Sequence, residues 1–251
     1  MKRTGLGIAT VVVLLLVWEA VARAKQSLYL PPVSTVAVTF VHEWFSPQFV
    51  AEAVPSLVRM FIGYLVAALF GTVIGVLIGA YPPLYRVVDP LLQFLRAIPP
   101  TAIIPVAILL IGIGDGMKIL VIAFGALWPI LVNSADGARA VIRERLDTAR
   151  VFGIGPVATL LTVTFPSALP GVFAGLRTGL SIAFIMIVVS EMIGSTNGLG
   201  YYILQAQRTF AIPEMYGGIV LLAILGYGLN AGFVAVERRV LAWHYGQSAR
   251  A

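Results

Sequence analysis

From Tyr216 to Val236 the chain runs without one charged side chain. A helix rises about 1.5 Å per residue, so about 20 apolar residues match a hydrocarbon layer of roughly 30 Å. Five more segments come close to this length: Gly5 to Ala22, Leu57 to Ala80, Leu91 to Ile113, Ile119 to Ala135 and Val172 to Ile193. Hydrophobic residues make up 59% of the chain and charged ones 11%, against roughly 25% charged in an ordinary soluble domain. So little polar surface excludes a water-soluble globule. The expected fold is an all-α membrane protein with about six transmembrane helices. The fourth segment is short and carries Pro129, so it is expected to be tilted, broken or shielded by neighbours.

The net charge of +6 follows membrane topology and not nucleic acid, because no basic stretch is interleaved with aromatic residues. With the amino terminus inside, Lys2, Arg3, Arg86, Arg96, Arg139, Arg143, Arg145, Arg150, Arg177, Arg238, Arg239 and Arg250 fall on the cytoplasmic side. Arg23, Lys25, Arg59, Lys118 and Arg208 fall outside. Both termini are therefore expected to be cytoplasmic. Lys2 and Arg3 before an apolar run, with Ala22-Arg23-Ala24 after it, also fit a cleaved signal; a retained anchor is the simpler reading. There is no cysteine, and His42 and His244 stand apart, so no metal site is expected.

Residues 1–56 are expected to form an anchor and an extracytoplasmic amphipathic segment, and residues 57–251 the core. Val36 to Phe45 reads either as lying among outer headgroups through Trp44 and Phe45 or as a short packed helix. Gly63, Ala67, Gly71, Gly75 and Gly79 recur every fourth residue, a stripe on which another helix backbone can close. Arg96, Pro99, Pro100 and Thr101 open the third segment; missing backbone donors there leave carbonyls for a route or a partner helix. Ser181, Ser190 and Glu191 add polar groups to the fifth. Glu191 is read as meeting a partner, guarding an outer gate, pairing with Arg208 or sitting in interfacial water. These seven residues, from Arg96 to Glu191, are the candidate route.

Most of the charge lies in the connection from about 136 to 170. Gly153 and Gly155 are expected to end one short helix and Pro156 to begin another. Leu146, Ala149, Phe152 and Ile154 give this element an apolar face, suited either to docking on another protein or to covering the bundle.

Asp147-Thr148-Ala149, Gly153 and then Val163-Thr164-Phe165-Pro166 match the spacing of a cytoplasmic-loop motif: Glu-Ala-Ala, Gly, and an aliphatic residue, any residue, Leu and Pro. On these residues the chain resembles the membrane subunits of binding-protein-dependent ABC importers. It departs in Asp for Glu, Thr for the first Ala and Phe for Leu. The likeness extends through Ser167 to Gly171, Gly175-Leu176-Arg177, Glu191-Met192-Ile193 and Gly198 to Tyr201. With Leu30-Pro31-Pro32 and Ser56 to Arg59, it is similar to the branch handling sulfonates, taurine, nitrate or bicarbonate, and vitamin precursors.

The resemblance implies a type I importer permease fold. Asp147, Thr148, Ala149, Arg150, Phe152, Gly153, Ile154 and Gly155 would couple to an ATPase, with Val163, Pro166, Pro170 and Arg177 supporting the loop. It also implies two ATPase subunits that bind ATP and Mg, a second permease copy (or less often a related permease), and an extracytoplasmic binding protein. The chain itself would be no enzyme and hold no cofactor. No phosphate loop of the G-x-x-x-x-G-K kind occurs in it. A secondary transporter would call for more spans or an internal repeat, together with membrane-buried ionisable groups; an intramembrane enzyme would call for a nucleophile and base, or metal ligands, facing one another inside the bilayer.

Overall fold

The computed structural model describes residues 2–243, and for residues 2–6 and 8 the backbone alone. His244 and Arg250 lie outside the described residues. Every regular element among them is helical: α1 Lys2–Lys25, α2 Val33–Trp44, α3 Val54–Ala80, α4 Pro82–Arg96, α5 Ile104–Ile111, α6 Asp115–Arg139, α7 Arg143–Val151, α8 Pro156–Thr159, α9 Phe165–Gly194, α10 Leu199–Arg208 and α11 Ile212–Val240. Wide π turns at Phe49–Ala53 and Leu160–Thr164 lead without a break into α3 and α9.

Four continuous stretches are long and apolar enough to cross a membrane: Phe49–Ala80, Asp115–Arg139, Pro156–Gly194 and Ile212–Val240. The first expected segment lies in α1, whose opening side chains fall outside the described residues. The third is not one helix from Leu91 to Ile113. It is a broken pair, Pro82–Arg96 and Pro100–Ile111, bent by 79°. Pro99 and Pro100 have no backbone N–H to give, and each pushes the residue before it out of helical geometry. The fourth is shielded by its neighbours, one of the alternatives expected for it, with Ala126, Ile130 and Leu131 buried around Pro129. α6 passes through Pro129 unbroken, and Asn133 Nδ2 donates to the Pro129 carbonyl at 2.7 Å.

The chain divides into two compact units. In the unit made of Leu57–Ser190 and Gly226–Ala251, α6 is the centre. A Cβ placed on Gly63 would lie 2.8 Å from Ile122, one on Gly71 2.9 Å from Ile130, and one on Gly79 would strike the Ala135 backbone. The stripe on α3 thus receives the large side chains of α6. Gly175 and Gly179 of α9 close on Asn133 and Ile130 of α6 in the same manner. Helix association in lipid relies on such close packing, because burial from water contributes nothing there. Met60, Ile104, Met117, Ile122, Ile130 and Ala183 are fully buried in the core that results.

The unit made of Met1–Ser56 and Glu191–Leu225 gathers Trp44, Ala53, Leu199 and Leu221. Trp44 is only 5% exposed and sits edge-on to Tyr202 at 4.8 Å. α2 is therefore a packed helix, while Phe45 just beyond it is exposed.

Candidate functional site

The charged connection folds as helix, turn, helix. In α7, Asp147 pairs with Arg150 at 3.0 Å, and the Thr148 hydroxyl donates to the Glu144 carbonyl at 2.7 Å. Both ion-pair partners are exposed, so the pair adds little stability. What ends the helix is backbone geometry. Gly153 takes φ +70°, its N–H donates to Arg150 O at 2.9 Å, and Ile154 N–H reaches back to Ala149 O at 2.9 Å. These two bonds make a Schellman cap, which requires a left-handed residue where Gly153 stands. Gly155 is extended, and Pro156 occupies the first turn of α8.

Around this cap apolar side chains face outward. Val151 is 84% exposed and Phe152 76%, with Ile154, Val157 and Leu161 also exposed. Ala149, expected on this face, is instead buried: the cap draws in the carbonyl end of its residue, and α7 rests on the Leu160–Thr164 turn. The N–H groups of Arg145 donate to Ser167 Oγ at 3.0 Å, tying α7 to the start of α9. Val163, Pro166 and Pro170 line one groove with Arg145 and Ser167. Arg177 does not join them. Its Nε donates to Asn230 Oδ1 of α11 at 3.2 Å, farther along α9 than the loop.

The route candidates separate into several places. Arg96 donates to Gln93 Oε1 at 2.7 Å and lines a small pocket with Tyr85, Asp89 and Asp136. Pro99, Pro100 and Thr101 form the bend between α4 and α5, with Thr101 exposed. Ser181 is exposed on α9, next to Phe184 and Asn230. Ser190 is fully buried and donates to Ile187 O at 3.0 Å, so its hydroxyl is directed into its own helix.

Glu191 is 1% exposed, which overturns the reading of a carboxylate in interfacial water. Ser56 Oγ lies 2.8 Å from each of its oxygens, and Gly200 N–H donates to Oε2 at 3.1 Å. Glu52 Oε2 accepts from Gly198 N–H at 2.5 Å, and Ser56 Oγ accepts from Leu199 N–H at 2.8 Å. The first amides of α10, which a helix cannot satisfy internally, are thus held by two carboxylates and a hydroxyl. Gly198 has φ +114°, and a Cβ there would strike the Glu191 carboxylate. Arg208, the other partner considered for Glu191, is exposed at the far end of α10.

The sequence reading missed Glu52, Ser56 and Asn230 as members of these sites. For Asn230 a signal was present: it is an amide deep in an otherwise apolar span. Ser56 gave none, since its partner lies 135 residues away.

Residues 71–241 match the family described as the binding-protein-dependent transport system inner membrane component. The taurine transport system permease protein TauC of Escherichia coli (strain K12) is 32% identical, covering 97% of this chain and 91% of that one. The putative aliphatic sulfonates transport permease protein SsuC of Bacillus subtilis (strain 168) is 31% identical over 94% and 87%. The nitrate import permease protein NrtB of Synechocystis is 29% identical over 92% and 87%. In fold, the chain is similar to a protein in an inward-facing structure of the MetNI methionine ABC transporter, with a TM-score of 0.67 at 22% identity. That match covers 75% of this chain and 94% of the other.

Proposed function

Because this chain belongs to the family of binding-protein-dependent transport system inner membrane components, we propose that two copies of it enclose the route for a small polar or anionic solute, with ATP-driven motion entering at the turn around Gly153. The chain is a multi-pass membrane subunit of an ATP-binding cassette importer, with the fold of a type I importer permease. Its relatives are named for taurine, aliphatic sulfonates and nitrate, all compact solutes bearing an oxyanion, and this supports the same class here.

The observation that carries the reading is the exposed apolar cap of α7. Val151, Phe152 and Ile154 stand outward at the family's loop motif, uncovered by any of the described residues. Exposed apolar groups rimmed by charge mark docking surfaces. The occupant proposed is a cleft on a separate ATPase, one per permease copy, which binds ATP and Mg. The weight of Lys and Arg in the connections supports placing this turn and both termini in the cytoplasm. A loaded binding protein would engage the opposite face. Each ligand shifts the balance between inward-open and outward-open states only by its differential affinity for the two.

The test is uptake into vesicles carrying the chain, its ATPase and its binding protein, with taurine, methanesulfonate and nitrate as solutes. Uptake of at least one that requires both ATP and the binding protein is expected. Transport by this chain with no ATPase present would make it a secondary transporter and refute the proposal.

A further inference from the structure

Arg177 is a charged residue in a membrane span, and it is turned away from the core of its own unit. Ala174, Arg177, Thr178, Ser181 and Ile185 are exposed along α9, at intervals of three and four that place them on one helix face. At 1.5 Å per residue, Arg177 lies roughly 8 Å beyond Val172, where the apolar segment begins, and Asn230 roughly 9 Å before Val236, where its own ends. An arginine at such depth faces a water-filled path or another protein far more often than hydrocarbon.

Its hydrogen bonding specifies what it can receive. Arg177 Nε donates to Asn230 Oδ1, and no carboxylate among the described residues pairs with the guanidinium. The bond occupies one lone pair of Asn230 Oδ1 and turns that oxygen toward the guanidinium. That leaves the two N–H donors of Asn230 beside the terminal N–H groups of Arg177. The Thr178 and Ser181 hydroxyls bond back to the carbonyls of Ala174 and Arg177, so they are satisfied on their own helix. Next to this fork runs a groove of about 240 Å³ lined by Leu180, Ser181, Phe184, Ile185, Leu229 and Asn230, mostly apolar.

We propose that Arg177 and Asn230 form the position where the solute's negative head is read. A guanidinium and the amide N–H groups beside it suit a planar or tetrahedral oxyanion, and a sulfonate or carboxylate can bridge them. The groove takes the short alkyl part of such a solute. The inference rests on the importer reading above and adds to it a residue pair and a charge rule.

The experiment measures initial uptake of taurine and methanesulfonate against concentration by the complete importer in vesicles, at saturating binding protein. Arg177→Gln and Asn230→Asp are each expected to lower anion uptake by about tenfold or more, the loss of one charge-assisted hydrogen bond. Arg177→Lys keeps the charge and is expected to retain most of the rate. The melting midpoint of each variant, in detergent with its ATPase, should match the wild type. The inference is overturned if Arg177→Gln transports at the wild-type rate, or if both variants lose thermal stability in step with uptake, as a structural brace would. A defect seen only in vesicles containing phosphatidylglycerol, and absent in pure phosphatidylcholine, would assign the fork to a lipid phosphate and overturn it too. Wild-type uptake that needs no ATP would refute the importer reading instead, separately from the fork.

Discussion

Glu191→Ala removes the carboxylate that holds the start of α10, and its effect follows from the groups left behind. The Glu191 side chain accepts from Ser56 Oγ and from Gly200 N–H at a site 1% exposed. A hydrogen bond to a charged group contributes about 1.5–3 kcal/mol, and a buried donor left unpaired costs about as much. Ser56 keeps a second acceptor in the Glu52 carbonyl at 3.1 Å, so its loss is smaller than that of Gly200. A total near 3 kcal/mol results, or about a hundredfold in the opening equilibrium of the segment. The assay is amide hydrogen exchange across 198–208 in detergent, which reads local opening directly. Exchange there should rise about a hundredfold in Glu191→Ala, while amides in α6 stay unchanged. Glu191→Gln keeps one acceptor oxygen and should raise it about tenfold. Wild-type exchange in Glu191→Ala would refute the assignment of Glu191 as the anchor of α10, and equal loosening of α6 would show a general collapse.

Gly153→Val places a β-branched residue at φ +70°, a conformation that costs an ordinary residue about 1–2 kcal/mol and a branched one more. Beyond its chain neighbours no described residue comes within 4 Å of the Cβ position, so the variant should insert and accumulate normally yet lose ATPase association on pull-down. Gly153→Asn, which tolerates this geometry, should keep it. Gly79→Leu drives a side chain into the Ala135 backbone; separating α3 from α6 should abolish accumulation of the protein in membranes, measured by immunoblot. Gly232→Leu, in open space on α11, should accumulate as the wild type does.

The elements most legible in the sequence were those whose cause is local. The charge-free run in α11, the four-residue spacing of small residues in α3, and the Gly153, Gly155 and Pro156 punctuation each act within a turn or two. The bend between α4 and α5 was harder to read, because hydropathy continues across Pro99 and Pro100 and masks the change of direction. Pro129 left its alternatives open: α6 runs through it unbroken because Ala126, Ile130 and Leu131 around it are packed against neighbouring helices, a shielding that the local sequence allowed but did not decide. The polar sites were least legible. Glu191 finds Ser56 across 135 positions, and Arg177 finds Asn230 across 53. Only the packing of distant helices brings such partners together, and no spacing rule within one segment foretells it.

The lack of any cysteine in the chain allows one thiol to report on the turn by itself. Phe152→Cys puts it at a position 76% exposed, in intact cells where sidedness is preserved. The account predicts that a membrane-impermeant maleimide added outside leaves this thiol unlabelled, and that a bifunctional crosslinker joins it to the ATPase with a yield that changes when ATP binds. Labelling from the external medium, or a crosslink to the binding protein in place of the ATPase, would contradict it.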